Sequence, residues 1–211
     1  GGEGAERAPL VLVLDDATQP FPWECLPSLR ESQGFYRAPC LGYATWHSLI
    51  GRRPLRWKSG YYLLNPGGDL DATQEEFEAR FEQEEGWSGA CGRAPPAKQV
   101  ASMIEARDLF LYFGHGTGER YLSSAAMEAM AEPCGASVLM GCSSARLRGS
   151  TLREGWGFLL TYLHAGAPAA VGNLWDVTDR DIDRFASALL EEVKRSGAEG
   201  EGRGGEVDAA R

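Results

Sequence analysis

Five short, almost wholly apolar runs constrain this chain most: Leu10–Leu14, Tyr61–Leu64, Leu109–Phe113, Ser137–Met140 and Ala169–Leu174. Each spans four to six residues without the polar alternation of a half-exposed sheet. They are predicted to be strands covered on both faces. Helical patterns fill the gaps. Thr73–Glu85 carries Phe77 and Phe81 four apart, with Asp71 or Thr73 as N-cap. Pro96 suits the first turn of a helix reaching Ala106. Ala125–Ala131 and Leu152–His164 follow, the second stopped by Gly166 and Pro168. Ile182, Phe185, Ala186, Leu189, Leu190 and Val193 line one face of a last helix. This alternation predicts an α/β fold with an open, mostly parallel central sheet and helices on both faces.

The 211 residues suit one domain, and 43% hydrophobic content is enough to build a core. Disorder across the whole length is excluded. The two ends, rich in Gly, Glu and Arg, predict a disordered lead-in over 1–8 and a disordered tail over 196–211, with the domain at 9–195. The chain opens on Gly1, not Met, and reads as a piece of something longer. Its longest apolar stretch is far too short to span a bilayer, so no membrane is expected. A net charge of −9 argues against direct nucleic-acid binding, which needs a basic face. Five cysteines without a C-x-x-C pair argue against a disulfide framework or a metal site, and for a reducing compartment. The loop Gly51–Gly60 holds Arg52, Arg53, Arg56 and Lys58 around Trp57. It reads as a solvated connection, with contact to an anion or acidic partner as the lesser alternative.

Ligands of a parallel sheet sit beyond the carboxyl ends of its strands. Two consecutive strands deliver unusual residues there: Gly114-His115-Gly116-Thr117-Gly118 after one, Gly141-Cys142-Ser143-Ser144 after the next. If these strands are neighbours, His115 and Cys142 can meet. A thiol becomes a nucleophile near an imidazole or a helix start, and Ser143–Ala145 reads as such a start with free N–H groups. His115 can take the thiol proton or protonate a leaving amine. The N–H groups of Gly116 and Cys142 can stabilise a tetrahedral oxyanion. Against this stands the common fate of Cys as core filler and of His as a structural donor. His47 and His164 lack such a setting and read as structural. Gly141–Ala145 also fits a serine elbow, but the only following His is His164, ten residues after Glu154 and with no strand to present it.

The runs FGHGTG, GCSSA and YLHAGAPAAVGNLWDVTDRDIDRF resemble the protease domain of separase, a caspase-like cysteine endopeptidase. VLVLDDATQPFPWECLPSL, YYLLNPGGDL and TQEEFEARFEQEEGWSG extend the likeness from about Leu10 to Val193. The resemblance implies a caspase-like three-layer sandwich, with Cys142 as nucleophile and His115 as catalytic histidine. It implies cleavage of the kleisin subunit of cohesin after Arg in a Glu-x-x-Arg context, releasing sister chromatids at anaphase in the cytoplasm and nucleus. It also implies a securin-like inhibitor in the same cleft and no cofactor. Separases continue into a further C-terminal strand and carry a long helical N-terminal region; neither has a counterpart here.

Specificity for Arg asks for a buried carboxylate. Asp179 and Asp183 lie four apart on one helical face, with Asp176 just before it. A cationic ligand would relieve like charges at that spacing. In the other reading, these acids serve the helix dipole behind an N-cap at Thr178 and pair with Arg180 and Arg184. The family's acidic pocket segment favours Asp183. Two alternatives remain: a truncated or inactive domain that only binds securin-like or cohesin-like partners, and another caspase-clan peptidase of basic specificity, such as a metacaspase-like enzyme.

Overall fold

The structure, a computed structural model, describes residues 9–30, 34–49, 55–105, 107–150 and 153–204. In chain order, the first half runs β1 (Leu10–Val13), α1 (Pro27–Arg30), β2 (Phe35–Ala38), α2 (Leu41–Leu49), β3 (Gly60–Leu64), α3 (Asp71–Glu82) and β4 (Ser88–Cys91). There follow α4 (Ala97–Glu105), β5 (Leu109–Phe113), α5 (Ser124–Glu128) and β6 (Ala136–Met140). The last elements are β7 (Arg148–Ser150), β8 (Arg153–Trp156), α6 (Phe158–His164), β9 (Ala170–Gly172) and α7 (Asp179–Gly204). Where the sequence reads as one domain, the chain divides into two compact units: Gly1–Arg52 with Leu147–Trp156, and Arg53–Arg146 with Gly157–Arg211.

The larger unit holds a five-stranded sheet in the order β4-β3-β5-β6-β9, every neighbouring pair parallel. Alternate side chains of its central strands enter two separate cores, as the two-residue period of a strand requires. On one face Leu64, Phe113 and Met140 stand side by side across β3, β5 and β6. They meet Phe77 and Phe81 of α3 and Ile182, Ala186 and Leu190 of α7. On the other face Tyr61, Phe110, Tyr112 and Leu139 meet Val100 and Ile104 of α4, Met127 of α5 and Tyr162 of α6. The expected sheet with helices on both faces is therefore present, and its three-layer arrangement follows from strands that are apolar on both sides.

In the smaller unit β1 pairs in parallel with β2, from Leu10↔Phe35 to Val13↔Ala38. This corrects the expectation that Leu10–Leu14 is covered on both faces: Leu10 and Val13 are exposed in a two-stranded ribbon. Arg37 of β2 grips Glu24 with Nε and Nη2, both at 2.6 Å, and Nη2 also donates to the Phe21 carbonyl at 2.8 Å. His47 stacks on Tyr43 at 5.8 Å, in keeping with a structural role. Strands β7 and β8 form an antiparallel hairpin. That hairpin replaces the start of the helix expected over Leu152–His164. Gly155 and Gly157 break the helical pattern, and extended backbone at Gly157 (φ −154°, ψ 153°) puts the helix start at Phe158.

Two further expectations change. Helix α7 continues to Gly204, into the stretch expected to be disordered from Ser196, while 205–211 and the lead-in 1–8 lie outside the described residues. Of the basic loop, residues 51–54 lie outside them too; in the rest Arg56 and Lys58 keep exposed side chains, as a solvated connection would have them, but Trp57 does not. Trp57 is buried in the α3–α7 core, its indole N–H donating to Glu84 at 2.8 Å. Arg56 pairs with Asp108 and Lys58 with Glu85, so both cations serve the fold's own acids.

Phe77 is fully buried and lies 4.5 Å from the Phe113 ring, centroid to centroid. Phe77→Ala is expected to lower stability by about 3–5 kcal/mol in urea denaturation. A loss under about 1 kcal/mol would mean that α3 is not anchored through this ring.

Candidate active site

Strands β5 and β6 run in unbroken register from Leu109↔Ala136 to Phe113↔Met140, so the loops that follow them emerge side by side. The pairing extends one step further, where the Gly114 N–H donates to the Met140 carbonyl at 3.4 Å. Gly141 then passes so close to the first loop that a Cβ there would stand 2.0 Å from the Gly116 carbonyl oxygen and 2.6 Å from that of Gly114. No side chain fits. The adjacency expected for His115 and Cys142 is thus built by backbone contact between their loops. Gly116 has φ +62° and Gly118 φ +77°, left-handed values that favour glycine. Tyr112 donates its phenolic hydrogen to the His115 carbonyl at 2.6 Å, and burial pushes that phenol well above its ordinary range, so it stays a donor.

The Cys142 loop is held by the segment after β9. The Ser143 N–H donates to the Trp175 carbonyl (3.0 Å) and the Ala145 N–H to the Asn173 carbonyl (2.9 Å). The Asn173 side-chain amide donates to the Gly141 carbonyl at 3.1 Å. The buried Ser144 hydroxyl donates to the Leu139 carbonyl at 2.7 Å and accepts the Asn173 N–H at 3.0 Å. These bonds correct one expectation: the amides of Ser143–Ala145 are not free for a thiolate but tied to carbonyls, that of Ser144 to Gly141 at 3.3 Å. By contrast, no acceptor for the N–H of Gly116 or Cys142 is found among the described residues. The Cys142 thiol, partly buried, donates to the Val177 carbonyl at 2.8 Å. Ser143 takes φ +53° and its hydroxyl donates to Asp176 at 2.6 Å, which commits the serine of the elbow reading to an acid rather than to His164.

A third loop, after β3, adds two residues to which the sequence assigned no role, Asn65 and Asp69. Buried Asn65 (φ 47°) accepts the N–H groups of Asp69 and Leu70, each at 3.0 Å, and donates to Gln74 at 3.0 Å. Its own N–H donates to the Phe113 carbonyl at 2.7 Å, tying this loop to the end of β5. The result sets Asp69 Oδ2 3.2 Å from His115 Nε2. N-P-G-G-D is a turn pattern, and a buried Asn capping its own loop is the signal that points here.

Asp183 of α7 faces α3. It is buried (6% exposed), and its Oδ2 accepts the Thr73 hydroxyl at 2.8 Å. Burial pushes its carboxyl above the ordinary range; the Thr73 bond opposes this, and the Glu76 and Asp179 charges add to it. Asp176 is engaged by Ser143. Thr178 is the N-cap as expected, accepting the Asp181 N–H at 3.3 Å and donating to its carboxylate at 2.7 Å. Among the described residues neither Arg180 nor Arg184 forms an ion pair with Asp176, Asp179 or Asp183.

Two of the other thiols are poor nucleophiles. Burial, reinforced by Glu78, pushes Cys91 up to about 12, and burial alone does the same for Cys134. Among the described residues no group of three His, Cys, Asp or Glu side chains is placed to hold a metal ion.

A parallel caspase-like α/β sheet with a thiol and an imidazole on touching loops at the ends of adjacent strands defines the class. Residues 2–182 match the family described as the separin protease domain, and the chain belongs to that family. It is 41% identical over 187 residues to separin of Emericella nidulans, 42% over 193 to that of Schizosaccharomyces pombe and 40% over 191 to that of Mus musculus. These alignments cover 86%, 88% and 86% of this chain but 9%, 10% and 9% of the relatives, so the chain spans about a tenth of their length. The crystal structure of the Saccharomyces cerevisiae separase–securin complex superposes with a TM-score of 0.78 at 32% identity, covering 87% of this chain and 13% of that one.

Two glycines should fail for different reasons. Gly141→Ala drives a Cβ into backbone oxygens and is expected to lower stability by about 1–3 kcal/mol in urea titration. Gly116→Ala meets open space but a left-handed φ, and should lose about 1–2 kcal/mol. Wild-type stability of Gly141→Ala would show that the two loops part without strain, and of Gly116→Ala that the left-handed backbone there costs nothing.

For Asp183 the linkage sign is set by a raised folded-state pKa. Its contribution to stability is fully present below the unfolded aspartate pKa and is lost as pH rises through the folded one. Asp183→Asn should therefore resist urea better than wild type near about pH 7, the gap closing towards about pH 3.5. A gap that does not change with pH would remove the buried charge as its source.

Proposed function

We propose that this chain is the protease portion of a separase-type cysteine endopeptidase that cuts the kleisin subunit of cohesin after Arg in a Glu-x-x-Arg context. One observation carries the reading: Gly141 pressed against the Gly116 carbonyl, which makes the loops of Cys142 and His115 neighbours. In the mechanism Cys142 gives its proton to His115, and the thiolate attacks the scissile carbonyl. The N–H groups of Gly116 and Cys142, which have no acceptor among the described residues, receive the oxyanion. His115 then protonates the leaving amine, and water releases the acyl group from sulfur. The thiol must first leave the Val177 carbonyl, its present acceptor.

Asp183 takes the substrate guanidinium. It is a buried carboxylate with a hydroxyl but no cation beside it among the described residues, the environment that a guanidinium completes. Asp179 adds negative potential, while Asp176 serves by holding Ser143. A securin-like inhibitor occupies the same cleft as a pseudosubstrate; the matched yeast structure is a separase–securin complex. The setting is the reducing cytoplasm and nucleus, where a free thiol persists and where sister chromatids are released.

The test is labelling by an acyloxymethyl ketone carrying Glu-x-x-Arg, read by intact mass. Wild type and Ser143→Ala are expected to take one adduct, and Cys142→Ser and His115→Ala none. Asp183→Asn should need about tenfold or more reagent for the same labelling while iodoacetamide still modifies Cys142. No adduct on a folded wild-type chain would favour a domain that binds partners without cutting them.

A further inference from the structure

We propose that Asp69 is a positioning residue for His115, accepting the hydrogen on Nε2 and so leaving Nδ1 as the nitrogen that exchanges the proton with Cys142. This rests on the reading of His115 as the base. Neutral imidazole carries one hydrogen, and the group that binds it selects the tautomer. Asp69 Oδ2 stands 3.2 Å from Nε2. The hydrogen therefore belongs on Nε2, between ring and carboxylate, and the lone pair belongs on Nδ1. When the Cys142 proton passes to Nδ1, the ring becomes a cation with its Nε2–H still facing Asp69. The carboxylate stabilises that cation, and hence the thiolate formed with it, and keeps the ring in place until Nδ1–H goes to the leaving amine. Asp69 itself gains no proton.

The placement of Asp69 is built, although both side chains are more than half exposed. Asn65 clamps the Asp69 N–H from within the core, and its own N–H joins the loop to the end of β5, two residues before His115. Gly68 turns the chain with φ +72°. Gly67 leaves the space in which the carboxylate folds back: a Cβ on it would stand 2.7 Å from Asp69 Oδ1. Gly67→Ala therefore displaces the carboxylate without removing its charge, and the obstructing atom is the end of a flexible side chain, so the fold survives. Asp69→Ala removes the carboxylate and leaves the backbone clamp.

The experiment uses the whole chain and two readouts that need no substrate. The first is the second-order rate of Cys142 alkylation by iodoacetamide, followed by peptide mass. It is measured for wild type, Asp69→Ala, Gly67→Ala, His115→Ala and the double variant Asp69→Ala/His115→Ala. The second is the imidazole tautomer of His115, read from long-range ¹⁵N–¹H correlations. Asp69→Ala is expected to slow alkylation about 3- to 10-fold, modest because the pair is exposed, with Gly67→Ala intermediate. The double variant should be no slower than His115→Ala, and the Nε2–H tautomer should dominate only where the carboxylate is in place. Alkylation and tautomer unchanged in Asp69→Ala, with His115→Ala slow, would overturn the positioning role and leave the Cys142–His115 reading standing. An equal effect of Asp69→Ala with and without His115 would overturn it too. Fast alkylation in His115→Ala would instead remove the base, and the proposal with it.

Discussion

The parallel pairing of β5 with β6 is the constraint on which the candidate site depends. Parallel strands in register end together, and the residues beyond them have no choice but to share a crevice. Here the sharing is tight enough that Gly141 packs against the carbonyls of Gly116 and Gly114, leaving no room for a side chain between the two loops. The two faces of the same strands, filled by different helices, then resist any slip, because a one-residue shift would exchange both cores at once.

Around that contact, polar groups bind the loops to their own strands and to each other. Asn173, one residue beyond β9, is bonded at its N–H, its carbonyl and its side-chain amide to the Gly141–Ala145 turn. Asn65, one residue beyond β3, does the same for the loop that carries Asp69. Each of these asparagines therefore extends the order of the sheet into a loop. Asn65 is buried with its side chain both donating and accepting, so it stiffens its surroundings, whereas a half-bonded amide there would destabilise them. The amides of Gly116 and Cys142 have no such tie among the described residues, which is why the proposed mechanism gives them the oxyanion.

Much of this was legible in the sequence, because the central strands are apolar on both faces and punctuated by glycine. The strands at Tyr61, Leu109, Ser137 and Ala169 emerged within a residue or two of their expected bounds, and so did the adjacency of the His115 and Cys142 loops. What escaped notice lacks a periodic signal. Strand β4 is Ser-Gly-Ala-Cys, too small in its side chains to read as a strand; it pairs because Gly89 lets the Tyr62 ring lie against it. Strand β8 was hidden inside an apparent helix by Leu152 and Trp156 at helical spacing. Asp69 meets His115, and Asn173 binds the Gly141–Ala145 turn, across stretches of chain that residue spacing does not encode.

Asp183 shows how far charge patterning carries a reading and where packing takes over. In sequence it is one of several acids in and before the first turns of a helix, and charge spacing alone sets it level with Asp179 on the same face. Packing separates them: Asp181 turns back to the Thr178 cap, while Asp183 faces Thr73 across the α3–α7 interface and is nearly closed off from water. A carboxylate in that position opposes folding at neutral pH and has no structural work that an amide could not do, since Asn would accept the same hydroxyl. Such a group makes physical sense where a cation visits. In the proposed reading the destabilisation of the empty state becomes selectivity for a cation, because a neutral side chain of the same length leaves the buried charge unanswered.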